Sequence, residues 1–196
     1  MFLLNYRFYI SFDLWEMRNG MVRCFIAIDL PRNAVKEIKN VQKLIGKKFI
    51  FTGKFTQEEN LHLTLKFLGD IIIDKIEEIK EKLKRIKLES FNASLNKIGI
   101  FSKRFPKIIW VKFNGAEELQ KEIDNSLKDL FEPENRFMSH VTIARIKHIK
   151  EKKELIEYLK SLKCKEEFIV DKFYLKKSEL LPEGPVYKIV KEFELN

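Results

Sequence analysis

From Met21 onward the chain switches repeatedly between two apolar periods, one of two residues and one near 3.6, and the switches mark its elements. Val22-Arg23-Cys24-Phe25-Ile26-Ala27-Ile28 reads as a strand, followed by Asp29-Leu30-Pro31. Val35, Ile38, Val41 and Leu44/Ile45 then recur at helical spacing, with Pro31 just ahead of the start. Polar residues from Thr56 to Asn60 lead into a strand over Leu61 to Leu68, which ends at Gly69-Asp70. Ile72, Ile76, Ile79, Leu83 and Ile86 define an amphipathic helix, and strands near 91–100 and 107–113 lie either side of a turn at Pro106. Leu119, Ile123, Leu127 and Leu130 mark the next helix, broken by Glu132-Pro133-Glu134-Asn135. A strand from Ser139 to Ile146, a helix with Leu155, Leu159 and Leu162, and strands near Phe168–Leu175 and Val186–Phe193 complete the chain. Pro182-Glu183-Gly184-Pro185 is the last turn.

The order helix, strand, helix, strand, strand thus occurs twice. It predicts an α+β fold of two similar lobes with antiparallel sheets, related by a pseudo-two-fold axis, with helices outside and a cleft between the lobes. At 196 residues, one bilobal domain over 21–196 can build its own core. Residues 1–20 look unlike the rest and read as an N-terminal extension outside that domain. The alternative is an extra element packed on it through Phe8, Tyr9, Phe12 and Trp15.

Within this repeat sits a doubled motif. Two of the three histidines open the same four-residue pattern, His62-Leu63-Thr64-Leu65 and His140-Val141-Thr142-Ile143, in a chain holding only four threonines. On a strand, each His shares a face with its Thr while Leu63, Leu65, Val141 and Ile143 face a core. A single such His is most often a satisfied structural residue, but nothing about packing asks for the pair twice. Two imidazoles brought together, one neutral and one protonated, make a general base and a general acid. Displacement at phosphorus suits them, with a His beside the entering oxygen, a His beside the leaving oxygen and Thr hydroxyls on the non-bridging oxygens. Such a pair predicts a bell-shaped pH profile with its maximum between about pH 6 and 8.

Composition narrows the setting. Lys and Arg number 38 against 29 Asp and Glu, a net charge of +9 that favours polyanions such as RNA about as well as it describes a solvated Lys-rich surface. Cys24 and Cys164 form no Cys-x-x-Cys pair, so a reducing cytoplasm fits better than a disulfide scaffold. No stretch approaches the roughly 20 apolar residues of a membrane span. Two His without Asp or Glu in the motifs make a poor zinc site.

Cys24-Phe25-Ile26-Ala27-Ile28-Asp29-Leu30-Pro31, Asn60-Leu61-His62-Leu63-Thr64-Leu65-Lys66-Phe67-Leu68-Gly69, His140-Val141-Thr142-Ile143-Ala144-Arg145 and Gly184-Pro185-Val186-Tyr187 resemble the RNA 2′,3′-cyclic phosphodiesterase family. It is also called the 2′-5′ RNA ligase family, of the two-histidine (2H) phosphoesterases. The resemblance runs from Met21 to the C-terminus. It implies hydrolysis of a 2′,3′-cyclic phosphate at an RNA 3′ end to a 2′-phosphate, with reversible 2′-5′ ligation in some members. By motif position it implies His62 as proton donor, His140 as proton acceptor, and Thr64, Thr142 and Arg145 as phosphate-binding residues. No cofactor and no metal are expected, and the expected form is a cytoplasmic monomer acting on RNA 3′ ends or small cyclic-phosphate nucleotides, away from membranes.

Strict alternation sets Arg145 on the side of Val141 and Ile143, so it reaches the cleft only if the strand bulges or ends at Ala144. Lys66 shares parity with His62 and Thr64. His148, among lysines, reads as a surface residue, and Phe67 and Trp110 read as core, while Phe25 and Tyr187 suit either the core or the cleft. The rival functions are a non-catalytic RNA-binding module and a phosphodiesterase for small cyclic nucleotides or 2′-5′ oligonucleotides.

Overall fold

A computed structural model describes residues 20–182 and 184–196; the expected extension over 1–20 lies, but for Gly20, outside the described residues. The strands are β1 (Met21–Asp29), β2 (Phe51–Phe55), β3 (His62–Ile72), β4 (Phe91–Ile100), β5 (Ile108–Asn114), β6 (His140–Ile149), β7 (Lys163–Val170), β8 (Lys172–Leu181) and β9 (Gly184–Glu194). The helices are α1 (Arg32–Lys47), α2 (Lys75–Leu83), α3 (Glu117–Leu127) and α4 (Lys152–Ser161). All strands join one antiparallel sheet in the order β7-β4-β5-β6-β3-β1-β8-β9, with β2 added to β6. The sheet divides at its middle. Leu63 facing Val141 is the point where the two motif strands pair, and it joins one lobe (β1, β3, β8, β9 with α2 and α3) to the other (β2, β4, β5, β6, β7 with α1 and α4).

The lobes are not the two halves of the chain. Helix α1 from the first half packs under β6 of the second motif, and α3 from the second half packs under β3 of the first. Their apolar stripes, Val35, Ile38, Val41 and Ile45 on α1 and Leu119, Ile123 and Leu127 on α3, are buried against the sheet. The expected strand Phe168–Leu175 is two strands. The chain breaks at Asp171 and sends β7 to one end of the sheet and β8 toward the other. No Gly or Pro marks that break, because the apolar run continues on both sides of it and only the pairing partners differ. The segment Phe51–Phe55, to which the apolar periods assign no element, is the short strand β2. Gly53 allows its close approach to β6: a Cβ there would lie 2.1 Å from the Arg145 carbonyl oxygen. Among the described residues no helix is long and apolar enough to cross a membrane.

Candidate active site

Leu63 and Val141 are fully buried, so the residues on either side of them point to the opposite, open face. Continuing the antiparallel register by one residue sets His62 opposite Thr142 and Thr64 opposite His140, a diagonal arrangement of two imidazoles and two hydroxyls. All four line one cleft of about 1000 Å³. Its volume is at the upper end for small-molecule sites and leaves room beyond one nucleotide.

Both motif strands break alternation at the same place. On β3 the partners run Ile26 to Lys66 and then Ala27 to Thr64, which leaves Leu65 as an extra residue. On β6 they run Ile109 to Ala144 and then Trp110 to Thr142, which leaves Ile143 extra. Each bulge reverses the parity of the residues beyond it. Arg145 is thereby turned onto the face of His140 and Thr142 and lines the cleft. Lys66 is turned off that face, against its expected parity. It is 5% exposed, pairs with Asp124 of α3 and donates at 2.7 Å to the Glu132 carbonyl. Phe67, expected in the core, stands at the pseudo-symmetric position of Arg145 and is 76% exposed at the cleft. Trp110, also expected in the core, is half-buried and lies beside Thr142, where Gly99 makes room for its ring.

The second bulge is held from below. The Ile143 carbonyl, turned out of the ladder, accepts from the Thr56 N–H at 3.0 Å and from Gln42 Nε2 at 2.9 Å. Gln42, buried on α1, also donates to the Thr56 carbonyl at 2.9 Å. Gln42 and Gln120 stand 78 positions apart (120 − 42), the spacing of His62 and His140 (140 − 62). Gln120 of α3 donates to Asp124, the partner of Lys66, so each helix brings a buried amide beneath the motif strand of the other half.

The hydrogen bonds fix the tautomers. His62 Nδ1 is 2.9 Å from the Asn60 carbonyl and His140 Nδ1 is 2.6 Å from the Met138 carbonyl. A carbonyl only accepts, so both Nδ1 atoms carry the proton and both Nε2 atoms present lone pairs. Thr64 donates its hydroxyl to His62 Nε2 at 3.1 Å, while His140 Nε2 has no partner among the described residues. Asn60 also ties His62 to the β8–β9 hairpin, its side chain donating to the Pro185 carbonyl at 3.0 Å. That hairpin brings Tyr187, whose ring meets His62 edge-on at 5.1 Å, and Phe25 packs against His62 at 5.1 Å. Phe101 meets His140 edge-on at 4.8 Å.

These rings exclude water, and burial is the first cause of the pKa shifts. It pushes His62 down to about 4, with nearby Lys176 and His140 acting the same way and the Asn60 carbonyl and Asp29 opposing. Burial also takes His140 below its ordinary value, helped by Lys112 and resisted by the Met138 carbonyl. Both imidazoles are therefore neutral at pH 7 in the free protein. Burial raises the Tyr187 phenol, with the Arg145 charge pulling the other way. No group of three or more potential metal ligands occurs among the described residues. His148 lies on β6 beyond the cleft walls, exposed.

Sequence reasoning on alternation alone misses the packing of Phe101 on His140, the Lys54 and Arg136 walls, and Gln42. Only the pairing of strands distant in the chain brings these together.

Known proteins resemble this chain in sequence and in fold. An RNA 2′,3′-cyclic phosphodiesterase of Methanocaldococcus jannaschii is 35% identical over 178 residues, 88% of this chain and 100% of the relative. One of Thermotoga maritima is 36% identical over 179 residues, covering 87% and 94%. A Thermus thermophilus crystal structure superposes with a TM-score of 0.73 at 25% identity over 88% of this chain and 97% of its own. The E. coli LigT complexed with ATP does so with a TM-score of 0.72 at 21% identity over 90% and 99%. The family model for LigT like phosphoesterases matches residues 28–110 and 113–187, which cover both motif strands and the hairpin of Tyr187, and the chain belongs to that family.

Proposed function

We propose that this chain hydrolyses a 2′,3′-cyclic phosphate at an RNA 3′ end and leaves a 2′-phosphate. The observation that carries the reading is the pair of Nε2 atoms presented, with two Thr hydroxyls, on one face where β3 meets β6. The names of the relatives supply the substrate class. His140 Nε2, unpartnered among the described residues, takes a proton from water as its oxygen attacks phosphorus. The bond from phosphorus to the 3′ oxygen breaks, and His62 Nε2–H gives its proton to that oxygen. Thr64 and Thr142 hold the non-bridging oxygens, and Arg145 meets their charge. His62 carries the proton for this step only once the phosphate anion is bound, because burial keeps it neutral in the free protein. With a 5′ hydroxyl in place of water, the same proton transfers join RNA ends through a 2′-5′ linkage, and in the reverse direction the two histidines exchange roles.

Charge at phosphorus is met by an imidazolium, hydroxyls and a guanidinium, so activity should survive exhaustive chelation. The buried thiols of Cys24 and Cys164 suit a reducing compartment. The test is incubation with an RNA ending in a 2′,3′-cyclic phosphate, followed by identification of the hydroxyl that keeps the phosphate. A 2′-phosphate product, lost in His62→Ala and His140→Ala by a factor on the order of 10²–10⁴ each, supports the reading. An uncleaved substrate, or a 3′-phosphate product, refutes it.

A further inference from the structure

The correspondence of residues 78 positions apart extends to the loop that precedes each histidine. Thr56 stands four positions before Asn60 (60 − 56), whose carbonyl holds His62 Nδ1. Glu134 stands four before Met138 (138 − 134), whose carbonyl holds His140 Nδ1. Thr56 and Glu134 are themselves 78 apart (134 − 56). Each is tied through its N–H to a buried acceptor, but the acceptors differ. The Thr56 N–H and the Gln42 amide both donate to the Ile143 carbonyl. The Glu134 N–H, at 2.9 Å, and the Gln120 amide, at 2.6 Å, both donate instead to Asp124 Oδ2. A carboxylate on α3 does for the second loop what the carbonyl of a bulge does for the first.

That carboxylate is buried, and Lys66 of β3 meets its other oxygen. Lys66 Nζ also donates to the Glu132 carbonyl at 2.7 Å. Side chains of β3 and α3 thus grip the backbone at Glu132 and Glu134, in a loop that crosses to the other lobe and becomes β6. The far end of the loop is tied within that other lobe, where the Phe113 N–H donates to the Ser139 carbonyl at 3.3 Å. Met138 lies between the two ties. A buried ion pair often stabilises a fold no better than an apolar pair of the same volume. The residues at the corresponding positions of the other half, Ala144 and Gly46 (144 − 66 and 124 − 46), carry no charge. Stability alone therefore does not account for Lys66 and Asp124, whereas their bonds to the backbone of one loop do.

We infer that Lys66 and Asp124 are positioning residues for His140: they fix the Glu132 carbonyl and the Glu134 N–H, and so set the Met138 carbonyl where it keeps the ring proton on Nδ1. Without that hold the proton divides between the two ring nitrogens, and the form protonated at Nε2 cannot accept another there. The ring is also free to shift, and a misplacement of about 1 Å costs on the order of 10²-fold in rate. A lysine that follows the first motif thereby serves the histidine of the second. The inference rests on the proposed role of His140 as proton acceptor.

The test uses Lys66→Met with Asp124→Leu, which removes both holds without leaving a buried charge. Urea denaturation reads the fold, and kcat on an RNA ending in a 2′,3′-cyclic phosphate reads the site. Nitrogen-15 chemical shifts of the histidine rings at about pH 8, where both imidazoles are neutral, read the tautomers. The expected result is a folded protein with kcat lowered about 10- to 100-fold, a His140 ring that has become a mixture of tautomers, and a His62 ring that keeps its proton on Nδ1. An unchanged His140 tautomer in the folded double variant overturns the inference whatever the kcat. Equal disturbance of both rings also overturns it, since that marks a general loosening. If the wild type cleaves nothing, the proposed activity fails, and the ring spectra alone decide the positioning role. Should the double variant not fold, Glu134→Pro, which removes the N–H and leaves the ion pair in place, is compared with Glu134→Ala, which keeps the N–H. A His140 tautomer shifted only by the proline supports the inference, and equal spectra overturn it.

Discussion

In the proposed mechanism, protonation of His62 sets the pH at which the enzyme works. Its pKa is pushed to about 4, so at pH 7 it lies three units below the solution pH, and about one molecule in a thousand carries the proton. Loading that proton costs about 4 kcal/mol. A bound phosphate monoanion about 4 Å away repays roughly 4 kcal/mol at the effective dielectric of a partly wet site. The two magnitudes nearly cancel, so His62 should titrate near neutrality in the complex and near 4 in the free enzyme. Since kcat/KM reports the free enzyme and kcat the complex, the two pH profiles should separate. The kcat/KM maximum should fall between about 4 and 6.5, since His140 also lies below its ordinary value, and the kcat maximum should lie about two units higher. That moves the kcat/KM optimum to the acid side of the range expected from unperturbed imidazoles. Stopped assays on a cyclic-phosphate oligonucleotide from pH 4 to 9 measure both parameters. Coincident profiles, or a kcat/KM alkaline limb starting above pH 7, would refute the burial argument.

The same buried imidazole makes the fold acid-sensitive. Its folded pKa is depressed, so the unfolded chain binds more protons between pH 6.5 and 4, and stability falls with pH by about 3 kcal/mol over that window; urea titrations should show this loss missing in His62→Asn. Removing Gln42 as Gln42→Leu takes two hydrogen bonds from backbone carbonyls at the Ile143 bulge. It should cost about 1–3 kcal/mol by urea denaturation and raise KM by freeing Arg145 from the cleft face, and an unchanged KM would show that the bulge holds without it. Lys66→Met leaves Asp124 buried without its cation and should cost about 3–5 kcal/mol, most of it recovered in Lys66→Met with Asp124→Leu. A double variant as unstable as the single would place the loss elsewhere than the unpaired charge.

The periods of the apolar pattern were sufficient for most helices and strands, because each element buries one face and the spacing of its apolar residues records which. The doubled His-x-Thr pattern likewise fixed, without any structure, which side chains share a face over four residues. Beyond four residues parity fails. Leu65 and Ile143 are apolar whether or not the strand bulges, so nothing in the string distinguishes a regular strand from one that turns Arg145 inward and Lys66 away. Strand partners were equally invisible: β7 and β8 form one apolar run, yet they lie toward opposite ends of the sheet. Composition counted the cations, but only the fold separates Arg23, neutralised by Asp70, from Lys54 and Arg145, which stand in one row facing the cleft. Local sequence determines a side chain's face through backbone geometry. Which charge it meets, how deeply it is buried and hence what its pKa becomes depend on residues far along the chain, and the tertiary structure alone decides them.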